Sequence, residues 1–137
     1  MNLTKNFTLE EMTVHQTEKP SSAVVENLRS LAKVLQGYRD TIFKNKPVVV
    51  HSAWRSEKYN KKIGGAINSY HCKGMAVDFH VAGLTKKELY DLMDKHHFGG
   101  VEWYLQDFNA VHIDIRGYVT RFDSKNKHLP SHYAQKK

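Results

Sequence analysis

Cysteine, proline, acidic residues and long apolar runs are what this sequence has least of. Its single thiol, Cys72, cannot form an internal disulfide, so the fold does without crosslinks and suits a reducing compartment. No run approaches the roughly 20 apolar residues of a membrane-spanning helix, so no integral membrane segment is expected. The opening MNLTKNFTLEEM lacks the apolar stretch of a signal sequence, and synthesis in the cytoplasm without a signal peptide is the expectation. Fourteen Asp+Glu stand against 21 Lys+Arg, a net charge of +7 that favours polyanionic partners without choosing among them. No nucleic-acid motif accompanies the charge, so nucleic acid is not an expected partner.

With 137 residues, 40% of them hydrophobic, there is enough chain to bury a core. No repeat, low-complexity tract or linker divides it. The reading is one domain over residues 1–137, monomeric, with a basic tail from about residue 118. There Arg121, Lys125, Lys127, Lys136 and Lys137 face only Asp123, as in a solvated end.

Thr8 and Glu11 form a capping box for a short helix over Phe7–Met12. Val24, Val25, Leu28, Leu31, Leu35, Tyr38 and Ile42 recur at helical spacing and predict a helix from Ser21 to Phe43. The β-branched run after Pro47 predicts a strand over Val48–Ser52, and Trp54 to Ile63 reads as a short helix or a loop. Residues 64–69 are turn-rich. Further strands are expected over Met75–Val81, Val101–Leu105 and Ala110–Ile115, with a helix capped by Thr85 and Glu88 between the first two. Helices come mostly early and strands late. That order predicts an α+β fold, an antiparallel sheet with N-terminal and crossover helices.

Two strands carry an unusual alternation. Val77, Phe79 and Val81 are apolar while Asp78 and His80 take the other face; Val111, Ile113 and Ile115 are apolar while His112, Asp114 and Arg116 take the other. An ordinary wet face would hold Lys, Glu, Thr or Ser. Faces of His, Asp and Arg look like the floor of a site. His71 lies seven residues before Asp78, across the Lys73-Gly74 turn, and can fold back over that floor. Two histidines and a carboxylate are a common set for catalytic zinc.

The run Ser69-Tyr70-His71-Cys72-Lys73-Gly74-Met75-Ala76-Val77-Asp78, with Val111-His112-Ile113-Asp114 downstream, resembles the M15 zinc peptidases. Ser52-Ala53-Trp54-Arg55-Ser56-Glu57-Lys58-Tyr59-Asn60 and Gly64-Gly65-Ala66 are similar to that family too. The resemblance implies a hedgehog/DD-peptidase-like fold, Zn2+ on His71, Asp78 and His112, and a catalytic and substrate-binding Arg55. It also implies a bacterial peptidoglycan peptide as substrate. The size and charge resemble a phage endolysin-type endopeptidase that acts on the host cell wall or periplasm after membrane permeabilisation. A D-Ala-D-Ala carboxypeptidase and an inactive zinc-bearing module are the alternatives.

One departure matters. Several family members carry a carboxylate three residues before the last histidine, and here that position is Asn109, whose amide cannot cycle a proton. Glu102 is the substitute. If Tyr104 pairs with Ala110, Glu102 sits opposite His112 on the same face. Asp114 is the next candidate, or else orients a ligand histidine. Ser69 and Tyr59 are candidate substrate contacts. His51 reads as a hydrogen-bonded core histidine, His80 as a rim or supporting residue, and His96-His97 as an electrostatic aid to a helix end.

Overall fold

A computed structural model describes residues 1–134. Lys136 and Lys137 of the expected tail lie outside the described residues. The chain folds as α1 (Leu9–Met12), α2 (Ser22–Asp40), β1 (Val48–Ser52), α3 (Glu57–Lys62), a 3₁₀ turn (Tyr70–Lys73), β2 (Ala76–Val81), α4 (Lys86–His96), β3 (Gly100–Trp103), β4 (Val111–Asp114) and β5 (Thr120–Asp123). The architecture is α+β, as the element order predicts.

Local signals account for the helix starts. Thr8 and Glu11 close one capping box, Thr85 and Glu88 another, and Ser21 and Ser56 cap α2 and α3. Helix α2 stops three residues short of the expected Phe43. Lys44 and Asn45 take left-handed backbone there, and the turn drives Phe43 into the core.

The five strands lie in the order β1-β2-β4-β3-β5. Neighbours pair antiparallel except β3 and β5, which run parallel. Phe79, Val101, Val111 and Ile113 on the sheet form one apolar cluster with Leu28, Leu31 and Leu35 of α2 and Leu89 and Met93 of α4. At about 25 cal/mol per Å² of apolar surface removed from water, such a cluster is the main stabilising term.

Strand β5 takes Arg121 and Asp123 out of the expected solvated tail, while Lys125 and Lys127 are exposed. Its burial is inverted relative to an ordinary strand, with Arg121 and Asp123 buried while Thr120 and Phe122 are partly exposed. Arg121 donates through Nε to Asp94 Oδ1 (2.8 Å) and through Nη1 and Nη2 to the carbonyls of Gly99, Thr120, Asp94 and His97. A basic residue at the end of the chain is here the polar hub that closes the C-terminus of α4.

Candidate metal centre

The register of the sheet builds the site. Asp78 of β2 pairs with His112 of β4, and His112 pairs with Glu102 of β3. The row extends to Ser52 of β1 and Phe122 of β5. Period-2 alternation then sends the polar members to the face opposite the apolar cluster.

His71 arrives from the 3₁₀ turn that precedes β2. Ser69 Oγ caps that turn by accepting from the His71 N–H, and Gly74 ends it in left-handed backbone, φ 73°. A Cβ on Gly74 would stand 3.0 Å from the Val24 carbonyl oxygen, so this close approach to α2 requires glycine.

The ligand atoms of His71, Asp78 and His112 lie within 4.8 Å of one another, all three residues buried. His71 Nε2 and His112 Nδ1 stand 3.4 and 3.3 Å from Asp78 Oδ1. Both ring nitrogens are buried without a hydrogen-bond partner. The far side of each ring explains why. His71 Nδ1 donates to the Ala53 carbonyl at 2.7 Å, and His112 Nε2 donates to Asp114 Oδ2 at 2.9 Å. Each inward nitrogen of a neutral ring is therefore a bare lone pair facing a carboxylate oxygen. Three converging acceptors need a cation, and two histidines with one carboxylate fit a metal that keeps a further position for water or substrate.

The electrostatics agree. Burial by itself would raise the Asp78 carboxyl, but the close approach of the His71 and His112 rings outweighs it and holds the group well below the usual range. Burial would lower His112, yet Asp114 and Asp78 outweigh it and push the ring up to about 9. In the metal-free protein the site thus draws in a proton where a metal would sit.

Glu102 Oε1 lies 3.9 Å from His112 Nδ1, on the rim of the same centre. Burial raises its carboxyl, with His112 opposing. The register that places it there is the expected one, with Glu102 opposite His112. Asn109, by contrast, is exposed in the β3–β4 connection.

Arg55 is anchored on three sides. Nε donates to Ser52 Oγ (3.2 Å), Nη1 to Asn60 Oδ1 (3.4 Å) and Nη2 to Asp78 Oδ2 (3.2 Å). Tyr104, which enters the sequence reading only as the register partner of Ala110, donates its hydroxyl to Asp78 Oδ1 at 2.7 Å. Burial, then Asp78 and Glu102, push its own ionisation far above the usual range, so it stays a donor. The alternation that singles out Glu102 holds the signal for Tyr104, two residues on.

Two open clefts meet at this centre. One, about 560 Å³, is lined by His71, His112, Glu102, Arg116, Tyr70 and Ser69 among others. The other, about 380 Å³, is lined by Asp78, His51, His15, Tyr59 and Phe108. Arg55, Ile63 and Tyr104 border both. Ser69 and Tyr59, the two candidate substrate contacts, therefore fall in different clefts.

The remaining histidines divide. His51 is half-buried rather than in the core, and its Nε2 meets His80 Nδ1 at 2.7 Å. His97, the C-cap of α4, is buried. Its Nε2 donates to the Asp114 carbonyl and its Nδ1 accepts from the Tyr38 hydroxyl, both at 2.7 Å. Cys72 is half-buried and outside the triad.

Comparison with known proteins converges on the same region. The sequence model of the peptidase M15 family matches residues 5–114. The peptidoglycan L,D-endopeptidase MepK of Escherichia coli strain K12 is 38% identical over 85 residues, covering 58% of this chain and 44% of that protein. The MepK protein of Shigella flexneri gives the same figures. The match thus spans less than half the length of these curated relatives.

Proposed function

This chain belongs to the peptidase M15 family, and on that premise we propose that it is a zinc-dependent peptidase that cleaves peptidoglycan stem peptides as an endopeptidase of the endolysin type. The observation that carries the reading is the convergence of two bare imidazole nitrogens on one carboxylate oxygen between two open clefts. Similarity to a peptidoglycan L,D-endopeptidase supports the substrate class.

His71, Asp78 and His112 hold the zinc, which supplies Lewis acidity toward water and a carbonyl oxygen. Glu102 takes the proton from the attacking water and returns it to the leaving amine; the buried, raised carboxyl suits that exchange. Arg55, which keeps N–H groups beyond those bonded to Ser52, Asn60 and Asp78 and borders both clefts, stabilises the oxygen on which negative charge develops, while the Tyr104 hydroxyl holds Asp78. Ser69 and Tyr59 contact the peptide on either side.

Space on both sides of the centre favours an internal bond over a terminal one, since a carboxypeptidase has a single residue to place beyond the scissile bond. Removal of terminal D-Ala is the second reading. The proposal includes action on the wall once the membrane is permeabilised, and the +7 charge supports retention on an anionic envelope.

The test is turbidity loss of permeabilised Gram-negative cells, comparing zinc-loaded wild type, chelated wild type and His112→Ala, with mass spectrometry of the released fragments. Lysis by zinc-loaded wild type alone, with an internal bond cut, is the expected result. Folded, zinc-holding protein that releases nothing defeats the peptidase reading for that wall, and fragments lacking only D-Ala establish the carboxypeptidase.

A further inference from the structure

Asp114 is fully buried, yet five donors surround its carboxylate. The Gly100 N–H (3.0 Å), the Arg116 N–H (3.3 Å) and Arg116 Nε (2.7 Å) reach Oδ1; Arg116 Nη2 (2.7 Å) and His112 Nε2 (2.9 Å) reach Oδ2. The guanidinium thus grips the carboxylate with two parallel bonds, a geometry lysine cannot reproduce. Its planar group lies 4.6 Å from the centre of the Tyr70 ring and 5.2 Å from that of Phe122. Gly100 leaves room for the grip. A Cβ there would lie 2.4 Å from Asp114 Oδ2 and 2.7 Å from Arg116 Nε.

We propose that Arg116 is a positioning residue which, through Asp114, holds His112 with its proton on Nε2 and its Nδ1 presented to the metal. The proposal rests on the reading of His112 as a ligand. A neutral imidazole carries one ring proton, and the hydrogen bond on one nitrogen decides which nitrogen is left for the metal. Asp114 alone could rotate about its side chain. The fork from Arg116 and the backbone N–H of Gly100 remove that freedom and set the plane in which His112 donates. Arg116, Tyr70 and Phe122 also line the larger cleft, so the orientation of a ligand ring is tied to the wall against which substrate lies.

The test measures zinc affinity of the full chain by competition with a chromophoric chelator, for wild type, R116K and G100A. In parallel, the His112 ring N–H of the zinc-loaded protein is followed by NMR for protection from exchange. R116K keeps the charge and the aliphatic stem, so folding is retained; a 10–100-fold loss of zinc affinity with faster exchange of that proton is expected. G100A, which displaces the carboxylate, is expected to lose at least as much. R116K within twofold of wild type in affinity, with the proton still protected, overturns the proposal even if its melting temperature falls. A wild type that binds no zinc at all overturns the metal reading and this proposal together.

Discussion

Glu102 and His112 stand directly opposite one another on β3 and β4, with Glu102 Oε1 3.9 Å from the inward nitrogen of His112. A carboxylate at that distance from a candidate ligand atom stands beside the triad without belonging to it. Glu102→Gln keeps the shape and removes the proton acceptor. Turnover is expected to fall by about 10²–10⁴-fold, with zinc affinity changed far less. Near-wild-type hydrolysis of purified muropeptides by this variant would assign the base elsewhere.

Asp78 is the point where the site's ties converge: Arg55, Tyr104, His71 and His112 all lie against its two oxygens. Asp78→Asn keeps the size but replaces one acceptor oxygen with an amide donor, aimed at either Arg55 or the metal. Zinc binding is expected to be lost within the measurable range, and chelation of wild type should abolish hydrolysis in the same way, reversibly on adding zinc. Equilibrium dialysis with metal analysis checks both. Stoichiometric zinc on the Asn variant would remove Asp78 from the ligand set.

The common face of Asp78 and His112 was legible because alternation is a local signal. Apolar Val77 and Phe79 point one way, so Asp78 must point the other, and the same holds for His112 between Val111 and Ile113. The β3–β4 register was legible because a one-residue slip would bury Glu102. Strand β5 was not, since its inward residues are Arg121 and Asp123, the reverse of a hydrophobic pattern. Arg121 depends on carbonyls at residues 94, 97, 99 and 120, and such partners exist only once α4 and the sheet are in place. Arg116 lay on the correct face, but nothing local assigns it to Asp114 rather than to solvent.

Arg121 yields a stability prediction from that network. Arg121→Met leaves Asp94 without its guanidinium partner and several buried carbonyls without donors. Removing one partner of a buried ion pair costs about 3–5 kcal/mol, which urea denaturation would register as a large drop in midpoint. A loss below about 1 kcal/mol would mean that water replaces the guanidinium there, on the scale of a solvent-exposed ion pair.

His97 sets part of the acid sensitivity. Burial lowers its basicity, and the Asp114 carbonyl and Tyr38 hydroxyl suit the neutral ring. The folded state therefore binds fewer protons at this residue than the unfolded chain does. Its contribution is complete above the unfolded value of about 6.5 and is lost as pH falls through the lowered folded value. Stability should decline from pH 7 toward pH 5, with His97→Gln removing its share of that slope. An NMR titration showing His97 protonating near 6.5 in the folded protein would contradict the assignment.

Asn109 offers the sharpest separation between family pattern and local geometry. The resemblance to the M15 peptidases implies a working carboxylate at this position, so Asn109→Asp in a Glu102→Gln background looks like a restoration. The fold argues otherwise. Residue 109 is exposed in the connection before β4, whereas Glu102 lies in the strand row beside His112 and lines the larger cleft. A proton acceptor must come within about 3 Å of the water it serves, directly or through one more water. The double variant is therefore expected to stay as inactive as Glu102→Gln alone, and Asn109→Asp by itself to behave as wild type, both read by muropeptide hydrolysis at saturating zinc. Recovery of tenfold or more in the double variant would show that the connection folds inward when substrate binds, and would return the base to the position the family uses.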